Sequence, residues 1–281
     1  MPASTLQARH IAVDGVRSLV RESGGEQGEA VVFVHGNPGS SRDWLELAGQ
    51  VSAFARVVAP DMPGFGQSDK PADFEYTVTG YARYLGGLLD VLGVSRVHLV
   101  LHDFGGPWGL AWAAAHPERL ASVVLINTGA LPGYRWHYLA RIWRTPVLGE
   151  LFQLLATRSG FHRLLKHGNP RGLPRDFVDG MYDDYDRGTR RAVLRLYRAA
   201  SDPNGLTEQL AAVLRPLALP ALVIWGRHDP YIDAAYAERQ REVFPAARVV
   251  MLDQSGHWPY ADDPAAVASA LVPFLRAQVG A

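Results

Sequence analysis

The 281-residue chain contains no cysteine, which excludes disulfides, thiol catalysis and thiolate-bound metals together. It has no excess charge of either sign: 28 Lys and Arg stand against 28 Asp and Glu, a formal net charge of +0. That balance argues against a nucleic-acid partner, which needs a basic field to offset phosphate. No apolar run is long enough to span a bilayer, and Met1 to His10 has no apolar signal-like core, so a cytoplasmic protein with no membrane partner is expected. Repeats and low-complexity tracts are also missing. What remains is 48% hydrophobic and 20% charged, the composition of an ordinary soluble globular protein. The length suits one large catalytic domain, or a core with a modest inserted lid.

Short apolar, β-branched runs alternate with helical patterns. His10–Val13 and Val16–Arg21, joined through Asp14-Gly15, read as a hairpin. Ala30–His35, Arg56–Pro60, Arg96–His102 and Leu120–Asn127 read as buried strands, with a helix over Val78–Leu92 capped by Thr77. From about Gly129 to Val213 no convincing strand occurs, and the segment holds Trp136, Trp143 and many tyrosines and arginines. Leu219–Trp225 and Arg248–Leu252 restore the strands, and Asp263–Ala277 closes the chain as an amphipathic helix. This rhythm predicts an α/β fold, a mostly parallel doubly wound sheet covered on both faces and interrupted by a helical insert.

The segment Val97 to Gly106 is a β run ending in His102-Asp103, followed by Phe104-Gly105-Gly106 and a helix. A sharp strand-to-helix turn of this kind exposes its central side chain at the C-terminal sheet edge, where α/β folds do their chemistry. No G-x-S-x-G occurs, so Asp103 stands where a nucleophile would; its bland alternative is the N-cap of the next helix. Two further segments follow the last two strands: Trp225 to Pro230, with Asp229, and Ser255 to Pro259, with His257. The order nucleophile, acid, histidine is that of a hydrolytic triad. His35-Gly36-Asn37-Pro38-Gly39 after the first parallel strand can turn a backbone N–H toward a developing oxyanion, together with the N–H of Phe104. Gly64 to Asp69 begins like a dinucleotide loop but has Asp69 where its third glycine belongs. His35, His102 and His228 lack metal-ligand spacing and read as structural. Neither a metal nor a cofactor is expected.

These residues together resemble the aspartate-nucleophile branch of the α/β hydrolases, the epoxide hydrolases and haloalkane dehalogenases. The resemblance rests on His35-Gly36-Asn37-Pro38, on Asp61 to Pro71, on His102 to Gly106 and on Gly256-His257-Trp258. It covers Ala30 to Asn127 and Pro220 onward, and implies hydrolase core over 1–128 and 214–281 around a helical cap over 129–213. The implied chemistry is a covalent ester on Asp103, cleaved by water that His257 activates and Asp229 orients, with Asn37 and Phe104 as the oxyanion hole. Between the two branches the residues point both ways. Phe104 lacks the N–H donor that dehalogenases commonly place after the nucleophile, whereas Asn37 matches a halide-binding asparagine. Leu196-Tyr197-Arg198-Ala199 resembles the segment carrying one proton-donating tyrosine of the epoxide hydrolases; Tyr138 is the choice for the other, with Tyr134 or Trp143 as substitutes. Tyr197 could equally pack a cap helix, and Arg190, Arg191, Arg195 and Arg198 read as a solvated face. The expectation is an epoxide hydrolase acting on a small hydrophobic substrate bound near Trp143 and Trp258, as a monomer or homodimer. A dehalogenase, or a binding protein without turnover, is the alternative.

Overall fold

The computed structural model describes residues 6–24, 28–200 and 203–280, so Met1 to Thr5 of the N-terminal reading lie outside the described residues. Strands β1 (Gln7–Val13) and β2 (Val16–Glu22) form the expected hairpin. Asp14 and Gly15 make its turn, both at positive φ, the pairing that a two-residue hairpin needs to match strand twist. The remaining strands are β3 (Gly28–Val34), β4 (Val57–Pro60), β5 (Val94–His102), β6 (Leu120–Ile126), β7 (Ala221–Gly226) and β8 (Arg248–Leu252). They form one eight-stranded sheet in the order β1-β2-β4-β3-β5-β6-β7-β8, antiparallel at β1-β2-β4 and parallel from there on.

Parallel strands joined by helices must be covered on both faces, which is why these runs are almost purely apolar rather than alternating. Helix α1 (Leu45–Val51) lies on one face with the final helix, and α2 (Val78–Val91) and α3 (Gly105–Ala115) on the other. Val31, Val32, Phe33, Val34, Leu99, Val100 and Leu101 are fully buried between them. Thr77 caps α2 as its sequence suggests, accepting from the Gly80 N–H at 3.0 Å.

Between β6 and β7 the chain runs through α4 (Tyr138–Arg144), α5 (Leu148–Leu154), α6 (Arg158–Lys166), α7 (Arg175–Asp184), α8 (Arg187–Ala199) and α9 (Pro203–Leu214), with no strand among the described residues. After β7 come α10 (Ala235–Arg239), α11 (Pro259–Asp262) and α12 (Pro264–Gln278). Two arginines of α8 correct the reading of a simply solvated face. Arg190 donates to the carbonyls of Gln153 and Ala156, and Arg198 to the Trp143 carbonyl and the Glu150 carboxylate. They lash α8 to α4 and α5, satisfying carbonyls that the short helices leave open at their ends. Arg191 is exposed, as expected.

Candidate active site

Because β3, β5, β6, β7 and β8 run parallel, their C-terminal ends meet along one edge. Asp103 follows β5 there at φ +48°, a left-handed conformation that an aspartate adopts only at some cost in strain. The turn is held by its neighbours. Thr128 Oγ1 donates to the Asp103 carbonyl at 2.5 Å, and Gly36 leaves room because a Cβ there would collide with Asp103 Cβ and Oδ1 and with the Phe104 nitrogen. The N-cap alternative fails. Helix α3 is entered from Phe104 with no side-chain cap, and the Asp103 carboxylate turns back toward β3, where Oδ1 accepts from the Asn37 N–H at 2.6 Å.

The other oxygen, Oδ2, lies 3.5 Å from His257 Nε2. His257 Nδ1 donates to Asp229 Oδ2 at 2.7 Å, so the three side chains form a chain of contacts from β5 through the loops after β8 and β7. Asp229 is fixed in turn: Oδ1 accepts from the N–H groups of Tyr231 and Ile232 at 2.8 and 3.0 Å, and Oδ2 from Asn127 Nδ2 at 2.7 Å. Asn127 was not singled out in the sequence. It ended an apolar strand run and carried no motif; its polarity at a strand's C-terminal end was the one available signal. It sits at φ +46°, a conformation asparagine tolerates better than most residues, and its amide braces Asp229 and the Gly226 N–H together.

Electrostatics follow the geometry. Burial acts to raise the Asp103 pKa, but the hydrogen bond and charge of His257 outweigh it and bring it to about 2. For His257 burial acts downward, while the Asp229 charge and the interaction with Asp103 carry it up to about 9. Both shifts act in one direction, favouring the proton on His257 over Asp103. Of the histidines expected to be structural, His102 and His35 are kept neutral by burial. His102 donates from Nε2 to the His257 carbonyl at 2.8 Å and accepts from the Tyr260 hydroxyl at Nδ1, and burial lowers its pKa to about 3. His35 accepts the Met62 N–H at Nε2 and donates to the Gly36 carbonyl. His228 is exposed.

Two cavities meet at Asp103, His137 and Tyr197, which line both. The inner one is about 30 Å³, walled by Asn37, Trp143, Tyr231, His257 and Trp258. The outer one is about 750 Å³ and runs over Phe104, Ala111, Ala115, Leu206 and Leu210 to exposed Arg83 and Val213. The structure thus brings Tyr197, Trp143 and Trp258 to the site with Asn37 and Phe104. Tyr138 goes elsewhere: it is 45% exposed and lines neither cavity. It opens α4, where a step of one residue turns a side chain by about 100°, and the residue that faces inward is its neighbour His137. That histidine was missed. Its Nδ1 accepts from the Ala140 N–H at 3.2 Å as the cap of α4, so the ring proton must reside on Nε2. Burial lowers its pKa to about 4, which keeps it neutral. Tyr134 lines the outer cavity, but its hydroxyl donates to the Tyr231 carbonyl at 3.3 Å.

Residues 29–264 match the family model of the α/β hydrolase fold. A cis-3-alkyl-4-alkyloxetan-2-one decarboxylase of Xanthomonas campestris is 30% identical over 94% of this chain and 92% of its own. Haloalkane dehalogenase DbeA of Bradyrhizobium elkani superposes with a TM-score of 0.83 at 27% identity, covering 97% of this chain and 98% of that one. Epoxide hydrolase A of Mycobacterium thermoresistibile shares the fold at 24% identity, with a TM-score of 0.83 and the same coverage.

Proposed function

The chain belongs to the α/β-hydrolase fold family, and on that premise we propose that it is an epoxide hydrolase, opening an apolar epoxide through an ester on Asp103. The observation that carries this reading is Tyr197. Its oxygen accepts from Asn37 Nδ2 at 3.4 Å, which leaves the phenolic proton for a substrate atom. Burial and the Asp103 charge raise its pKa well above the usual value, so the proton stays until an alkoxide forms to take it. His137 Nε2–H supplies the second donor, in the role the sequence assigned to Tyr138.

Asp103 Oδ2 attacks a ring carbon, the C–O bond breaks, and its electron pair goes to the ring oxygen as Tyr197 protonates it. With the Asp103 charge gone, His257 releases its proton, which restores the Tyr197 phenol through solvent. Water then attacks the ester carbonyl carbon and passes a proton to the neutral imidazole, the C–Oδ2 bond breaks, and the departing alkoxide takes that proton to complete the diol. The last proton of the Asp103 carboxyl returns to His257. The oxygen that gains charge in this second step is Oδ1, already on the Asn37 N–H; one such donor is worth about 3–4 kcal/mol. Ester formation also removes a carboxylate charge beside His257, so its pKa falls when a base is needed. The outer cavity, within the range of small-molecule sites and walled by alanine and leucine, favours an uncharged substrate with a long apolar substituent.

Dehalogenation by the same ester is favoured by the Asn37 amide beside Asp103 and by the 27% identity with DbeA. Against it, the Phe104 side chain has no donor and Asn37 Nδ2 is engaged with Tyr197. A substrate panel of alkyl and aryl epoxides, bromoalkanes and a dialkyl oxetan-2-one, the last prompted by the Xanthomonas relative, tests the choice. Epoxides turned over to diols, with heavy oxygen from water entering Asp103 in a single turnover, are expected. Halide release with every epoxide untouched would overturn the epoxide reading, and label found only in product would remove Asp103 as nucleophile. Binding without any conversion would leave the non-catalytic alternative.

A further inference from the structure

Helix α5 presents an apolar face to solvent. Val147, Leu148, Leu151, Leu154 and Leu155 are between 49% and 74% exposed, whereas the other exposed large aliphatic residues among those described are Leu45 and Val91, each alone, and the pair Val213 and Leu217. Their spacing puts them on one side of the helix. Val147, at the N-cap, is held at φ +68°, a conformation that a β-branched residue takes only under strain. The chain thus accepts a backbone cost where it also exposes aliphatic surface, and contiguous patches of this kind mark contact with another phase or molecule.

The helices packed against α5, α4 and α8, are rich in arginine. Arg190 and Arg198 of α8 bond to carbonyls at residues 153, 156 and 143, and Arg141 and Arg144 of α4 to the carbonyls of Trp136 and Ala200. Carbonyl partners leave the guanidinium charge in place. The one acid on α4, α5 or α8 is Glu150, paired with Arg198. Aliphatic side chains on a helix packed against arginine-rich neighbours suit a surface that is apolar inside and anionic at its face. A second copy of the chain suits it less, since a two-fold contact would set arginine against arginine.

We propose that the α5 face of the helical insert is a docking surface for an anionic phospholipid membrane, bound peripherally through Leu151, Leu154 and Leu155. The reading is independent of the epoxide assignment. The test is flotation of the full chain with vesicles of phosphatidylcholine alone and of phosphatidylcholine with phosphatidylglycerol. Binding to the anionic vesicles should exceed that to neutral ones by at least about tenfold and fade at high salt. Leu154→Asp/Leu155→Asp should lose it by a similar factor with an unchanged melting temperature, while Leu45→Asp, at a singly exposed leucine, should not. Absence of wild-type binding, equal binding to neutral vesicles, or full binding by the double variant overturns the proposal. So does a dimer in analytical ultracentrifugation that the double variant abolishes while vesicles are ignored.

Discussion

At Asp103 and His257 the two halves of the proposed cycle divide between residues, and each half can be stopped alone. His257→Gln keeps Asp103 and its Asn37 contact, so alkylation should proceed and hydrolysis stall. Intact-protein mass spectrometry should then show an adduct of one substrate mass on Asp103; unimpaired steady-state turnover would mean that His257 is not the base. The pKa pair adds a sign. In the free enzyme two carboxylates hold His257 at about 9; in the ester only Asp229 still bears charge, so the imidazole must lose its proton at lower pH. The rate of adduct hydrolysis should rise with pH through a midpoint below that of free His257, and alkylation should stay flat until Asp103 protonates near pH 2. Equal midpoints for the two His257 states, by NMR titration and rapid-quench kinetics, would contradict this coupling.

At the level of elements, α8 and the start of α4 bring the two proposed proton donors, Tyr197 and His137. Tyr197→Phe should lower epoxide turnover by about 10²–10⁴-fold, the range for losing a positioned acid, while Tyr138→Phe should leave kcat and KM unchanged. The reverse pattern would restore the original assignment. The contrast shows where sequence reading runs out. The strands were legible because burial on both faces writes itself as unbroken Val, Leu and Ile, and the site on them because glycines and polar residues punctuate each strand end. Nothing comparable marks the helical insert. Whether Tyr138 or His137 faces the cavity depends on the phase at which α4 begins, and Arg190 and Arg198 resemble solvent-facing arginines until the carbonyls they meet are placed. Asn127 escaped for the opposite reason, as the last residue of a run that its neighbours made look purely apolar.

For the whole molecule, the outer cavity makes a prediction of its own. Ala111→Trp, on α3 within the wall, should raise KM steeply for long-chain epoxides and little for short ones, with kcat for the short ones kept; a uniform loss across chain lengths would show that substrates do not lie along this wall. The topology has one more consequence. The insert leaves the sheet after β6 and returns at β7, and these strands are direct neighbours, so its two ends lie close together on the frame that holds Asp103, Asp229 and His257. Segments with adjacent ends are the ones chains exchange most freely. In the proposed mechanism Tyr197 and His137 travel with the insert while the carboxylates and the base stay behind, so heredity can treat bond-making and leaving-group departure as separate characters. One ancestral nucleophile could pass from oxygen rings to halides by replacing a lid, with no change in the sheet.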